Sequence, residues 1–396
     1  MRRTIMISLA IASALNGATI DEALKTGKVS GQIRAAYVNQ DNALDPDTYG
    51  SAIGGQLKYE MGAWNDFKLG IAAYISQKLP FATGDGEKAN NDLFANNADS
   101  YVYLGEAYVD YSIHDFSLRI GRQQIDTPLA DTDDIRMHPN TFEAAIATYK
   151  GFEGTTIVGG VVKRFAGYDS GNDISEFKKL DGVDSRGAAI AGIINESVEN
   201  LAVQGWVYSI DNMANILYTD AVYTVPLSET TGLEFAGQFG HFNEEQNSGI
   251  DGNVYGVGTS FNIDMLTVGV AYNKATNDGK AIVNGFGGGP YYTSMEEMTI
   301  DGLEDARAYQ INTQLDMSDA GIEGLKLAVL YGNFKGKMQG LDAKVTEYDV
   351  VVAYTLNENI CADVSYASLN DKNKNSSEMG TDGGYDRFLV RLNYSF

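Results

Sequence analysis

The chain has 396 residues, 53 of them acidic and 29 basic, for a formal charge of −24. That balance counts against nucleic acid as a partner, and the single cysteine, Cys361, rules out a disulfide framework. Forty-four glycines and 24 tyrosines against six prolines suit strands with one crowded face and ends at a membrane interface, although soluble all-β repeats share the mixture.

The chain opens with Arg2 and Arg3, an apolar run from Ile5 to Leu15 broken by Ser8 and Ser13, and small residues through Ala18. This is the pattern of a secretory signal peptide. Cleavage after Ala18 or after Ala14 fits the small-residue rule, and residues 1–18 are taken as removed. Their loss changes the balance to 27 basic against 53 acidic residues, or −26. The run is too short to span a bilayer, and no later segment offers the ~18 consecutive apolar residues of a transmembrane helix. Residues 19–27 read as a short periplasmic leader, and 28–396 as one domain.

From Lys28 onward Val29, Ile33, Ala35 and Tyr37 share one face, while Ser30, Gln32, Arg34 and Ala36 share the other. This period of two recurs, with connections that alternate between long polar ones and very short ones. Strands are predicted near 28–40, 48–62 and 66–78. A polar loop over 79–99 follows, then a strand to 112, a tight turn at 113–115 and the strand carrying Arg119. Further strands fall at 142–150, 155–165, 185–196, 201–211, 213–227, 232–243, 253–263, 266–276, 306–317, 325–335, 345–357, 361–369 and 384–396. At Asn212 a long loop is due, but the link is short. The count is eighteen, or sixteen if the two weakest segments merge with neighbours; these are 142–150, which is short, and 213–227, which holds Pro226.

An even number of antiparallel strands, with long loops at one end and tight turns at the other, predicts a transmembrane antiparallel β-barrel of a Gram-negative outer membrane. In the last strand Phe388, Val390, Leu392, Tyr394 and Phe396 alternate with Arg387, Leu389, Arg391, Asn393 and Ser395. A terminal aromatic after such a strand resembles the signal that outer-membrane barrels present to the barrel assembly machinery. Lipid, lipopolysaccharide and small hydrophilic solutes complete the expected partners. Monomer and homotrimer both stay open, because outward Val, Leu, Ala and Tyr look alike whether they face lipid or protein.

A barrel of this size has a lumen that its wall side chains cannot fill, so a passive, water-filled channel is expected. Inward parity places Arg34, Arg387 and Arg391 on the adjoining first and last strands as a basic strip, with no acid evident on the same faces. Arg119 and Lys326 also point inward, and Arg119 has Asp110 and Glu106 within reach as pairing partners. The most charged connection lies within residues 119–143. It carries Arg122, Asp126, Asp131, Asp133, Asp134 and Arg136 and is broken by Pro128 and Pro139. Folded inside the barrel, it would oppose the basic strip and set a transverse field across a narrow slot. Left on the surface, its acids would bind divalent cations or nothing.

Signs of catalysis are thin. His114, His138 and His241 fall in turn or loop contexts, and Gly285 to Gly289 lacks the Lys-Ser/Thr of a phosphate loop, reading instead as flexible loop. Asp41, Asp45 and Asp47 lack the Gly and Glu of a calcium loop. No enzyme activity, cofactor or metal is expected. The rival to a channel is an adhesin or structural barrel whose acidic loops bind partners.

Gly121-Arg122-Gln123, Asp126-Thr127-Pro128-Leu129, Asp133-Asp134-x-Arg136-Met137-x-Pro139 and Phe142-Glu143 together resemble the segment after the fifth strand in the OprD family of outer-membrane porins. The likeness extends more weakly to Lys28-Val-Ser-Gly and to Arg387-Phe-Leu-Val-Arg. It implies eighteen strands, a third extracellular loop folded into the channel, a seventh loop assisting it (here residues 278–305, with Glu296 and Glu297), a ladder of basic wall residues, and uptake of small carboxylate-bearing or basic amino-acid-like nutrients. The chain departs from that pattern in its shorter basic strip and its acidic loops, which suit a broad, cation-preferring channel.

Overall fold

The computed structural model describes residues 19–171, 173–180, 185–277, 280–338, 340–373 and 383–396; the expected signal peptide, residues 1–18, lies outside them. The described strands form one sheet in chain order: β1 Lys28–Asn42, β2 Thr48–Glu60, β3 Phe67–Lys78, β4 Tyr101–Ile113, β5 Phe116–Gln123, β6 Thr141–Phe152, β7 Thr155–Ala166, β8 Lys178–Lys179, β9 Ala188–Val198, β10 Leu201–Ile210, β11 Ala214–Pro226, β12 Thr231–Glu244, β13 Gly252–Ile263, β14 Leu266–Thr276, β15 Glu304–Asp316, β16 Leu325–Met338, β17 Leu341–Thr355, β18 Ile360–Asp371 and β19 Tyr385–Ser395. β8 is a two-residue pairing on β7, and the other eighteen make the wall. The sheet closes because β1 pairs antiparallel with β2 on one side and with β19 on the other, from Gln32↔Ser395 to Asn42↔Tyr385.

Both weak segments are strands in their own right, β6 and β11, so the sixteen-strand alternative falls. Pro226 ends β11 opposite Gly232, where a missing N–H costs least. The short link at Asn212 is present between Ile210 and Ala214. Residues 19–27 contain one short helix, α1 (Ile20–Lys25), started by a Thr19/Glu22 capping box. The Gly62 N–H donates to Ala23 O at 2.9 Å, tying the leader to the link after β2.

Alternation sorts the side chains: Val29, Ile33, Leu57, Ile71 and Val257 stand exposed outside, while Arg34, Ala36 and Val38 are buried inside. The register shifts between β3 and β4 at Ala72/Ala73. Past this bulge Glu106 comes to lie inside, 1 % exposed.

The interior differs from a plain water-filled lumen. An apolar core occupies part of it, built from inward Trp206, Tyr208, Ile216 and Phe242 of the wall and from Leu129, Leu180, Ile282, Phe286 and Ile300 of the long connections. Trp206 lies over Gly192, where an added Cβ would come within 2.2 Å of the indole ring. Rather than forming a flexible loop, the Gly285 to Gly289 run is anchored by Phe286, which packs against Phe142, Phe165 and Tyr208. Each fully buried side chain of this size contributes about 1.5–3 kcal/mol. Four connections are labelled below: L2 (79–100), L3 (124–140), L4 (167–187) and L7 (277–303).

Candidate channel site

The basic strip exists, but it is covered. Arg34 on β1 makes a fork to Asp134 of L3, with Nη1 donating to Oδ1 at 2.6 Å and Nη2 to Oδ2 at 2.8 Å. Its Nη1 also donates to Arg136 O at 2.6 Å, and its Nε to Asn393 Oδ1 at 2.6 Å. Arg391 on β19 donates to Asp134 O at 2.7 Å and through Nε to Asp363 Oδ2 at 2.8 Å. Two expectations are corrected here. Asp134 lies against the strip rather than opposite it, and the strip does have an acid on its own face, because Asp363 on β18 sits directly across from Arg391. β19 has two neighbours, and Asp363 stands on the β18 side, away from the β1 pairing that places Arg34 beside Arg391.

Arg387 and Arg136 form a second knot. Arg387 ion-pairs with Asp92 of L2 and, at 2.9 Å, with Glu297 of L7. The Arg136 guanidinium stands 3.6 Å from both acids and 4.2 Å from the ring centroid of Tyr168 in L4. Tyr385 donates to Glu297 at 2.9 Å. Four connections therefore meet on the β1/β18/β19 side of the interior. Side-chain exposure is 3 % for Arg34, 4 % for Arg387, 5 % for Arg136 and 17 % for Arg391. Charges buried this deeply hold only while their partners stay in place.

Beside this knot lies a cavity of about 400 Å³, bounded by L3, L4, L7 and Arg391. Asp131, Asp133, Asp169 and Glu296 line it, and none is ion-paired among the described residues. Burial and the charges of Asp133, Asp169 and Asp126 push the Asp131 carboxyl up to about 7. Asp169 is pushed up to about 6 by burial and by Asp133, against a hydrogen bond from Asn140 and the charge of Arg136. Burial also raises Asp133, although Arg136 pulls it back. The cavity is thus a cluster of mutually repelling carboxylates beside two guanidinium groups, the partly exposed Arg391 and the buried Arg136.

The remaining charged residues named from sequence stand apart. Arg119 pairs with Asp110 at 2.6 Å and lies over the Tyr108 ring, while Glu106 takes Lys58 at 2.8 Å. Lys58 went unnamed although its parity on β2 was readable. Arg122 shares Glu143 with Arg164. Lys326 is 69 % exposed at the turn end of β15 and β16, 3.7 Å from Asp316. Asp126 shapes L3 from within, accepting from the Thr132 hydroxyl at 2.8 Å.

His138 of L3 is buried among Tyr74, Tyr101 and Tyr103. Its Nε2 bonds the Tyr101 hydroxyl, and burial pushes its pKa down to about 4. His241, expected in a turn or loop, lies in β12 and bonds Asn253 at 2.9 Å. Asp92, Tyr168 and Asp169 were missed outright, since nothing local distinguishes them from other loop residues.

The family model described as "outer membrane porin, OprD family" matches residues 24–396. The fold is similar to Pseudomonas aeruginosa OccK9 (OpdG), with a TM-score of 0.79 at 18% identity over 94% of this chain and 99% of that one. P. aeruginosa OpdK, solved with vanillate, gives the same figures. Acinetobacter baumannii OccAB2 gives a TM-score of 0.82 at 15% identity over 94% and 98%. A search of curated protein sequences finds no significant match. A closed eighteen-strand wall and a family match over nearly its whole length make this chain a member of the OprD family of outer-membrane porins, a channel for small solutes in the Gram-negative outer membrane.

Proposed function

We propose that L3, assisted by L7, narrows the channel to an acidic slot that passes small cations and amino-acid-like zwitterions in preference to anions. One observation carries the reading: four carboxylates, Asp131, Asp133, Asp169 and Glu296, line the 400 Å³ cavity without ion-pair partners among the described residues. The arginines around them are already engaged by Asp92, Asp134, Glu297 and Asp363. Low-dielectric walls strengthen the field of the unpaired acids. An ammonium group entering the slot replaces the repulsion among them with attraction, whereas an anion meets Arg391 and Arg136, and Arg136 is already held between Asp92 and Glu297. A zwitterion can place its ammonium on the acids and its carboxylate on Arg391.

OpdK was solved with vanillate, a carboxylate. Carboxylate-only solutes are a second reading here, favoured solely by the partial exposure of Arg391. Arg34, Arg387 and Arg136 act in this scheme as the bolts that hold the loops in.

Planar-bilayer recording of the purified porin in a potassium chloride gradient tests the proposal. A reversal potential of cation-selective sign is expected, with higher conductance after deletion of residues 129–134. Anion selectivity, or a deletion without effect on conductance, overturns it. An adhesin with an incidental pore would give no steady ohmic current.

A further inference from the structure

We infer that the inner wall carries a docking track for L7, made of Gln238 on β12, Asn273 on β14, Gln310 on β15 and the pair Glu347 and Asp349 on β17. These five are positioning residues, which set where Glu296 and Glu297 stand. The inference rests on the reading of L7 as part of the slot.

Residues 290–297 belong to no strand, yet their backbone is bonded to the wall at almost every step. Gln238 Nε2 donates to Pro290 O at 2.8 Å, and its Oε1 accepts from Tyr292 N at 3.2 Å. Asn273 Oδ1 accepts from Thr293 N at 3.0 Å and from the Thr293 hydroxyl at 3.1 Å. Gln310 Nε2 donates to Ser294 O at 2.8 Å. Asp349 Oδ2 accepts from Glu296 N at 3.1 Å, and Glu347 Oε1 from Glu297 N at 2.9 Å. A chain laid inside a barrel must satisfy its backbone groups without a partner strand. Here five wall side chains take the partner strand's place.

The wall is also cut to fit. Gly256 stands opposite both Gln238 and Asn273, and an added Cβ would come within 2.4 Å of Gln238 and 2.5 Å of Asn273 Nδ2. Gly332 stands opposite both Gln310 and Glu347, where a Cβ would come within 3.0 Å of Met295 of L7. The glycines on β13 and β16 thus leave room between the polar residues of β12, β14, β15 and β17, at Gly256 for the Gln238 and Asn273 side chains and at Gly332 for Met295 of L7. All five polar side chains are at most 6 % exposed. None borders the cavity, so their influence on solutes must pass through L7. At the end of the track, Glu347 and Asp349 fix the backbone of the two residues whose side chains matter: Glu296 faces the cavity and Glu297 holds Arg387.

The test compares two double variants. Glu347→Gln with Asp349→Asn keeps an acceptor oxygen at each position, and Glu347→Leu with Asp349→Leu removes it. Amide exchange of the 290–297 segment is read by mass spectrometry on folded, heat-modifiable porin, and reversal potential is read in bilayers. The leucine pair is expected to exchange about tenfold faster or more and to lose cation preference, while the Gln/Asn pair keeps both properties. Unchanged exchange in the leucine pair, or equal loss in both pairs, overturns the track. If the leucine pair does not fold, Asn273→Leu asks the same question from the other end, with faster exchange again expected and unchanged exchange overturning the inference. Glu296→Gln, whose backbone stays docked, separates the two readings. An unmoved reversal potential there sinks L7 as part of the slot, and the exchange result still decides the track.

Discussion

Replacing Arg34 with Met should release L3 without opening the barrel. Arg34 supplies four hydrogen bonds, two of them to the Asp134 carboxylate. Removing one partner of a buried pair costs about 3–5 kcal/mol. The Asp134 side chain is 37 % exposed, so water can solvate it once the guanidinium is gone. The lower figure, about 3 kcal/mol, therefore applies, and it shifts the ratio of docked to released loop by roughly 150-fold. The readout is built into the loop. Arg136 is a tryptic site whose side chain is 5 % exposed while L3 is docked. Cleavage of a transiently opened segment tracks the open population when reclosing is fast. Trypsin should accordingly cut after Arg136 about 100-fold faster in Arg34→Met than in wild type, with Arg34→Lys between them because an ammonium cannot reproduce the fork. Wild-type cleavage at that bond, in a variant whose barrel stays heat-modifiable, would refute the assignment of Arg34 as the bolt of L3.

Three further outcomes follow from the same geometry. Asp131 and Asp169 have pKa values raised to about 7 and about 6, so their charge is present above those values and is lost as pH falls through them. Cation preference should therefore drop between about pH 8 and about pH 5, and Asp131→Asn should remove the upper part of the step in reversal potential. His138 is depressed from 6.5 to about 4. The His138 contribution to docking of L3 is then fully present above the free value and is lost by up to about tenfold per pH unit as pH falls towards 4, giving current noise at acid pH that His138→Asn should abolish. Asp363→Asn should leave Arg391 without its ion-pair partner, though still bonded to the Asp134 carbonyl. One additional partly exposed positive charge, worth roughly 0.5–1 kcal/mol, should lower the cation-to-anion permeability ratio about threefold, and an unchanged ratio would remove Arg391 from the slot.

The wall was legible because a strand has only one periodicity to satisfy. Val29 and Ile33 outside with Arg34 inside, or Phe388 and Leu392 outside with Arg387 and Arg391 inside, follow from parity alone. Even the short link at Asn212 could be read. What parity could not supply was the third coordinate, the depth of loop lying over an inward residue. Arg34 and Arg391 are two positions apart on paired strands, opposite Asn393 and Ala36 respectively. One is sealed under Asp134, and the other keeps part of its surface. Loop residues carry no such period, so Asp92 could not be told from Asp85, nor Asp169 from Asp173. The apolar part of the interior was partly legible in inward Trp206, Tyr208 and Ile210, which make little sense facing water. Their partners Ile282, Phe286 and Ile300 lie among glycines that disguise them.

The acidic excess and the buried arginines explain each other. A loop drawn into a barrel loses water from its carboxylates, and a fixed guanidinium is the cheapest replacement, because it offers several donors in a planar fork and stays charged when desolvated. Arg34, Arg136, Arg387 and Arg391 are therefore used up on Asp134, Asp92, Glu297 and Asp363. The field in the remaining space is set by whichever acids exceed that demand. A chain with the same four arginines and fewer loop carboxylates would leave guanidinium groups free and favour anions. Here L3, L4 and L7 bring four acids, Asp131, Asp133, Asp169 and Glu296, beyond those the arginines engage; under the proposed reading the loops set the sign of the slot, and under the proposed track the wall sets where L7 lies.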